Sequence, residues 1–115
     1  MFGHSSTPSV SAAQVAADAF VVDVREPYEW EAGHISEGVG VLVHIPMGEV
    51  QHRLAEIPVE REVVVVCKVG GRSAQVVDYL NQVGRTAVNL DGGMYAWAAA
   101  GRPLVSDEGA PGSVV

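Results

Sequence analysis

Val63-Val64-Val65-Val66 is a continuous apolar run, too short to span a membrane and too β-branched for a helix. It predicts a buried strand of a parallel sheet. From Ser73 the apolar positions change to helical spacing, at Val76, Val77, Leu80 and Val83, with Gly84 as the expected C-cap. The rest of the chain alternates in the same way. Ser11 is a plausible N-cap for a short helix over Ala12–Asp18, and Phe20–Val24 reads as a strand. Pro27 suits the first turn of a helix through Tyr28, Trp30 and Ala32. Val39–Val43 predicts another strand, broken by Ile45-Pro46, and Met47, Val50, Leu54 and Ile57 recur at helical spacing before Pro58. Thr86–Leu90 is the last predicted strand, and Asp91-Gly92-Gly93 turns into a helix carrying Tyr95 and Trp97 and capped by Gly101. Strands alternating with helices indicate an α/β domain, a central parallel sheet covered on both faces.

The apolar pattern stops at both ends. Residues 1–9 read as a flexible N-terminal tail, 10–104 as one domain and 105–115 as a flexible C-terminal tail. A chain of 115 residues, 48 % hydrophobic and 18 % charged, suffices for one core without staples. The single cysteine excludes an internal disulfide and fits a reducing, cytoplasmic setting. No signal-peptide pattern opens the sequence, and no apolar run approaches membrane-spanning length. A net charge of −7 without a basic stripe argues against nucleic acid and against anionic membrane as partners.

Against that acidic background Cys67-Lys68-Val69-Gly70-Gly71-Arg72-Ser73 is locally basic, with no acid between Glu62 and Asp78. Its place between a strand's carboxyl end and a helix's amino end is where open α/β sheets bind ligands. Unpaired N–H groups at the helix start and the positive end of its dipole favour an anion there. Gly70 and Gly71 permit positive φ, which lets successive N–H groups turn inward as a nest. Lys68 and Arg72 add full charges. An ordinary cysteine, with a pKa of about 8.5, is only ~3 % thiolate at pH 7. Lowering that pKa by about two units requires roughly 2.7 kcal/mol, within reach of a helix terminus and a neighbouring cation. The plainer alternative is a structural cysteine packed as a small hydrophobe. Two cations and two glycines beside it favour an activated nucleophile that takes a small anion.

Several signatures, in order, resemble the single-domain rhodanese (thiosulfate sulfurtransferase-like) family from about Val10 to Leu104. These are Val22-Asp23-Val24-Arg25-Glu26 with Tyr28-Glu29 and Gly33-His34-Ile35, then Ile45-Pro46, then Cys67 to Ser73. Leu90-Asp91-Gly92-Gly93 through Trp97, Gly101 and Pro103 completes the set. The resemblance implies a rhodanese-like three-layer domain with a central parallel sheet of about five strands. It implies that Cys67 takes a sulfane sulfur from thiosulfate or a similar small anionic donor and holds it as a persulfide. The sulfur would then pass to a thiol or cyanide acceptor, or to a sulfur-relay protein. Lys68, Val69, Gly70, Gly71, Arg72 and Ser73 would bind the substrate, with Asp23 and Arg25 bracing the site. The alternative within the fold is a non-catalytic binding or regulatory module, which the intact cysteine and both cations disfavour. Related dual-specificity phosphatases place five residues between cysteine and arginine. Here four separate Cys67 from Arg72, and Ser73 occupies the position after, so phosphatase chemistry is disfavoured.

The remaining polar residues suggest packing roles. His34, in a Gly-His-Ile turn, is expected to lock that loop by hydrogen bonding. His4, His44 and His52 lack metal-ligand spacing, so neither metal nor cofactor is expected. Trp30 and Trp97 are expected in the core or at its rim. Gly92-Gly93 is expected to make a tight turn near the active-site edge, since no phosphate-cradling pattern surrounds it.

Overall fold

In the computed structural model, which describes residues 7–115, the valine run is the middle strand of a five-stranded parallel sheet. The strands are β1 (Ser9–Val10), β2 (Phe20–Asp23), β4 (Val41–His44), β5 (Glu62–Val66) and β6 (Thr86–Leu90), in the order β1-β6-β5-β2-β4. A separate two-stranded antiparallel ladder joins β3 (His34–Ile35) to β7 (Leu104–Val105). The helices are α1 (Pro27–Ala32), α2 (Gly71–Gln82) and α3 (Gly93–Ala99). No helix of the described residues is long and apolar enough to cross a membrane.

Strand alternation divides the valines between two cores. Val63 and Val65 pack with Val22, Ile45, Ile57, Val76, Val77 and Leu80 on the α2 face. Val64 and Val66 pack with Val21, Leu90, Met94 and Trp97 on the α3 face. Because all five strands run parallel, their carboxyl ends share one edge. Residues 23–25, 44, 67 and 91 therefore meet there.

Two predicted helices are absent as continuous helices. Ala12–Asp18 contains only a 3-10 turn, Ala12–Gln14, and Met47–Ile57 contains two, Met47–Glu49 and Leu54–Glu56. In both places a distant arginine side chain donates to main-chain carbonyls of the segment. Arg102 Nη1 donates to Ala12 O at 2.8 Å and to Val15 O at 3.2 Å. Arg85 donates to Leu54 O at 2.9 Å and to Ile57 O at 3.1 Å. Ala12 O would otherwise accept the Ala16 N–H of a helix, whereas Leu54 and Ile57 lie in a last turn, whose carbonyls a helix leaves unpaired and Arg85 satisfies. The strand expected over Val39–Val43 lies at Val41–His44, and Val39 packs beside the α3-face core.

Both ends make backbone contacts where they are described. Ser9 and Val10 add an edge strand to β6, in register with Asn89 and Leu90. Residues 1–6, including His4, lie outside the described residues. The C-terminal segment folds back: Val105 bridges to Pro111, Asp107 N–H donates to Glu31 O at 3.0 Å, and Ser113 N–H donates to Ala32 O at 2.9 Å. These donors satisfy carbonyls left unpaired at the end of α1. Removing residues 106–115 is expected to lower the unfolding free energy by about 2–4 kcal/mol, for three lost backbone hydrogen bonds, the third from Gly112 N–H to Leu104 O, and their packing. Urea denaturation of the truncated and full chains measures this; an unchanged midpoint would mean the segment is frayed.

Candidate active site

β5 delivers Cys67 to the sheet's carboxyl edge, and the chain then turns through Lys68, Val69 and Gly70 into α2. Gly70 has φ 114, a value that favours glycine, whereas Gly71 is already the first helical residue. One glycine of the expected pair therefore makes the turn. Cys67 is 1 % exposed, yet its sulfur is not left among hydrocarbon. Sγ accepts the Gly70 N–H at 3.1 Å and lies 3.2 Å from the Ser73 hydroxyl.

Two opposing effects act on that sulfur. Burial pushes the thiol pKa up. The Ser73 hydroxyl, followed by the amides of Ser73, Gly70 and Val69, pushes it down, and the balance lies below the ordinary value of 9.0. Hydrogen bonds to the charged form thus outweigh desolvation. The expected contribution from Lys68 and Arg72 is secondary to these donors.

Amides can face the sulfur because the loop's carbonyls have partners elsewhere. Met94 N–H donates to Cys67 O at 2.8 Å and Tyr95 N–H to Lys68 O at 3.2 Å. These belong to the first turn of α3, whose amides lack helical partners. The approach requires Gly93, because a Cβ there would lie 2.5 Å from both the Cys67 and Lys68 carbonyl oxygens. Gly92-Gly93 thus makes a tight turn against the active-site loop.

Asn89 is a residue that the sequence did not single out. Its Nδ2 donates to Gly70 O at 3.1 Å, and its Oδ1 lies 2.5 Å from the Ser73 hydroxyl. A hydroxyl has one hydrogen, so Asn89 and Cys67 compete for it. A thiolate accepts more strongly than a thiol, so ionisation of Cys67 shifts the balance toward the sulfur. The available signal was an amide in an otherwise apolar strand, at a position that proves buried.

Arg72 does not stand free in the site. Its Nη1 and Nη2 pair with the two carboxylate oxygens of Glu29 at 2.7 and 2.9 Å. Glu29 is 3 % exposed, and the guanidinium holds its carboxyl below the usual 4.5. The absence of acids between Glu62 and Asp78 was misleading, because this acid arrives from α1. Lys68 has no carboxylate partner among the described residues, and its ammonium lies 5.5 Å from the Tyr95 ring centre. Val69 is exposed at the mouth.

Asp23 and Arg25 form a fully buried pair, with Arg25 Nη2 2.8 Å from Asp23 Oδ2. Arg25 also donates to Gly33 O at 2.8 Å and to Glu29 O at 3.4 Å. The pair fastens α1, and with it Glu29, to the end of β2. No side-chain hydrogen bond joins the pair to residues 67–73 among the described residues. His34 Nδ1 lies 2.9 Å from Trp30 O, in line with a loop-locking role. Trp30 stacks between His34 and His44, with ring centres at 4.0 and 4.7 Å. Trp97 is fully buried. No group of three His, Cys, Asp or Glu among the described residues could hold a metal ion.

Two substitutions probe this geometry. Ser73→Ala removes the largest lowering influence on Cys67, so the thiol titrates at higher pH and alkylation near neutrality slows, by about three- to tenfold for one lost hydrogen bond. Iodoacetamide rates measured against pH read both effects. Gly93→Ala is expected to destabilise the fold by about 1–3 kcal/mol, because the Cys67–Gly93 approach must open. Denaturation midpoints, with Gly101→Ala as a control that meets no neighbour, check it.

Residues 7–100 match the model of the rhodanese-like domain family. A sulfurtransferase of Allochromatium vinosum is 42 % identical over 93 residues, which span 80 % of this chain and 83 % of that one. The crystal structure of a rhodanese-related protein from Thermoplasma volcanium superposes with a TM-score of 0.76 at 32 % identity, covering 85 % of this chain and 97 % of that one. A thiosulfate sulfurtransferase from Pseudomonas aeruginosa gives a TM-score of 0.75 at 25 % identity over 95 % of this chain, but only 22 % of its own. Its three-layer α/β fold, its loop from Cys67 to Ser73 and these similarities agree: the chain belongs to the rhodanese-like domain family.

Proposed function

We propose that this protein is a sulfurtransferase that carries sulfane sulfur on Cys67. The observation that carries the reading is the sulfur's placement: Sγ sits at the amino end of α2, with the Gly70 amide at 3.1 Å and the Ser73 hydroxyl at 3.2 Å. Donors aimed at a buried sulfur favour its anion, the nucleophilic form. The sulfurtransferase relatives support the same assignment.

In the proposed cycle the Cys67 thiolate attacks the outer sulfur of a small donor such as thiosulfate. A new S–S bond forms at Cys67, the donor's own S–S bond breaks, and sulfite leaves with the electron pair. Cys67 then holds a persulfide anion, stabilised by the amides of Val69 and Gly70 and by Ser73. A thiol, cyanide or the thiol of a sulfur-relay protein attacks the outer sulfur and restores the thiolate. Lys68 supplies the free positive charge at the mouth. Arg72, bound to Glu29, fixes the start of α2 more than it attracts the donor. Asp23 and Arg25 act at one remove, by holding α1. A lone cysteine with no disulfide partner suits the reducing cytoplasm.

Incubation with thiosulfate under non-reducing conditions is expected to add the mass of one sulfur atom to the wild-type protein and none to Cys67→Ser. Cyanide-dependent thiocyanate formation should fall to background in the variant. Equal turnover by both proteins would reject the assignment, and no adduct from any sulfane-sulfur donor would leave a binding module as the better description.

A further inference from the structure

Resting on the sulfurtransferase reading, we propose that Glu29 determines which donor the site accepts, and that this donor is the persulfide of an organic thiol in preference to thiosulfate. The first observation is the fate of the arginine. Both terminal nitrogens of Arg72 are committed to the Glu29 carboxylate, at 2.7 and 2.9 Å. That carboxylate cannot readily swing aside. Glu26 N–H donates to its Oε1 at 2.9 Å, and Arg25 holds the Glu29 carbonyl at 3.4 Å. The two charges cancel, which leaves Lys68 as the one loop cation without a carboxylate partner among the described residues.

Charge then separates the two kinds of donor. A thiolate attacking thiosulfate gathers three negative charges in the transition state, against one local cation and a protein of net charge −7. Attack on a persulfide gathers one when the donor is protonated and two when it is ionised. The Cys67 thiolate bonds to the terminal sulfur of R–S–SH, the bond between the donor's two sulfurs breaks, and its electron pair leaves on RS⁻. The persulfide proton passes to that thiolate, giving Cys67–S–S⁻ and RSH. No outside oxidant or reductant is needed.

The second observation concerns what surrounds the mouth. Tyr28 is 66 % exposed, Val69 58 % and Tyr95 50 %. Each is carried by a segment that builds the site: Tyr28 precedes Glu29, Val69 lies in the loop, and the Tyr95 amide holds the Lys68 carbonyl. Thiosulfate has no organic body to contact these side chains. An organic thiol does, and the contact would offset part of the cost of exposing them.

The test compares rates of single-turnover sulfur loading onto the full chain. The donors are thiosulfate, glutathione persulfide and a short peptide with a persulfidated cysteine. Wild-type protein is expected to load from at least one persulfide about tenfold or more faster than from thiosulfate, the effect of roughly one unfavourable charge. Faster loading from glutathione persulfide identifies a free thiol as the source, and faster loading from the peptide identifies a protein. In Glu29→Gln, which frees Arg72 but retains an acceptor for the Glu26 amide, the ratio should move toward thiosulfate by about tenfold. A merely structural role would lower all rates together and leave the ratio alone. Thiosulfate loading as fast as either persulfide in the wild type, or an unaltered ratio in a folded Glu29→Gln, overturns the proposal while leaving sulfurtransferase activity intact. Should that variant not fold, the wild-type ratio decides. Loading from no donor overturns both readings.

Discussion

A buried sulfur atom whose hydrogen-bond donors favour its anion is the constraint on which the rest of this structure depends. Burial alone would keep Cys67 a thiol. Hydrogen bonds from Ser73, Gly70 and Val69 reverse that preference, but only if the loop's N–H groups face inward. A backbone that turns its amides one way turns carbonyls the other, and buried carbonyls need donors. Cys67 O and Lys68 O find them in the first turn of α3, and Gly70 O finds them in the Ala74 amide and the Asn89 side chain. The loop is therefore built by three elements, α2, α3 and β6, which are separated along the chain and adjacent across the sheet.

A second network carries the load on the other side of the site. Asp23 pairs with Arg25, Arg25 holds the carbonyls of Glu29 and Gly33, and the Glu29 carboxylate grips Arg72 at the start of α2. Burying such charges is costly unless each is paired and hydrogen-bonded, as they are here. The carboxyl of Glu29 sits below its usual pKa because Arg72 is beside it. A depressed carboxyl contributes stability that is full above its unfolded value and is lost as pH falls through the folded one. The tie between α1 and α2 therefore weakens in acid below about pH 4.5 and holds through neutrality.

Where one physical cause acted locally, the sequence was enough. The valine run could only be a buried strand, its alternation fed two cores, and Cys67 stood at the strand end where the parallel edge opens. His34 makes the expected hydrogen bond, to Trp30 O, although it stands in β3 and not in a turn. The failures share a different cause. Met47–Ile57 has helical spacing, yet it forms only two 3-10 turns, and Arg85 binds the carbonyls of its last turn from a distant part of the chain. In Ala12–Asp18 it is Arg102, from near the C-terminus, that takes Ala12 O. The site was misread similarly: Arg72 looked free because no acid lay near it in sequence, while Glu29 reaches it from 43 positions away. Asn89 was overlooked because a single amide in a strand is ordinary until its neighbours are known. Side chains that cross the fold to find backbone or charge partners leave no local pattern.

The account's central claim is that converging donors overcome burial and favour the anionic form of Cys67. Titration of the native protein, following the ultraviolet absorbance of the thiolate against a Cys67→Ser blank, measures this directly. An apparent pKa below the value of about 8.5 for an unperturbed cysteine is expected. A value at or above it would mean that desolvation wins, and the loop would not be an anion site.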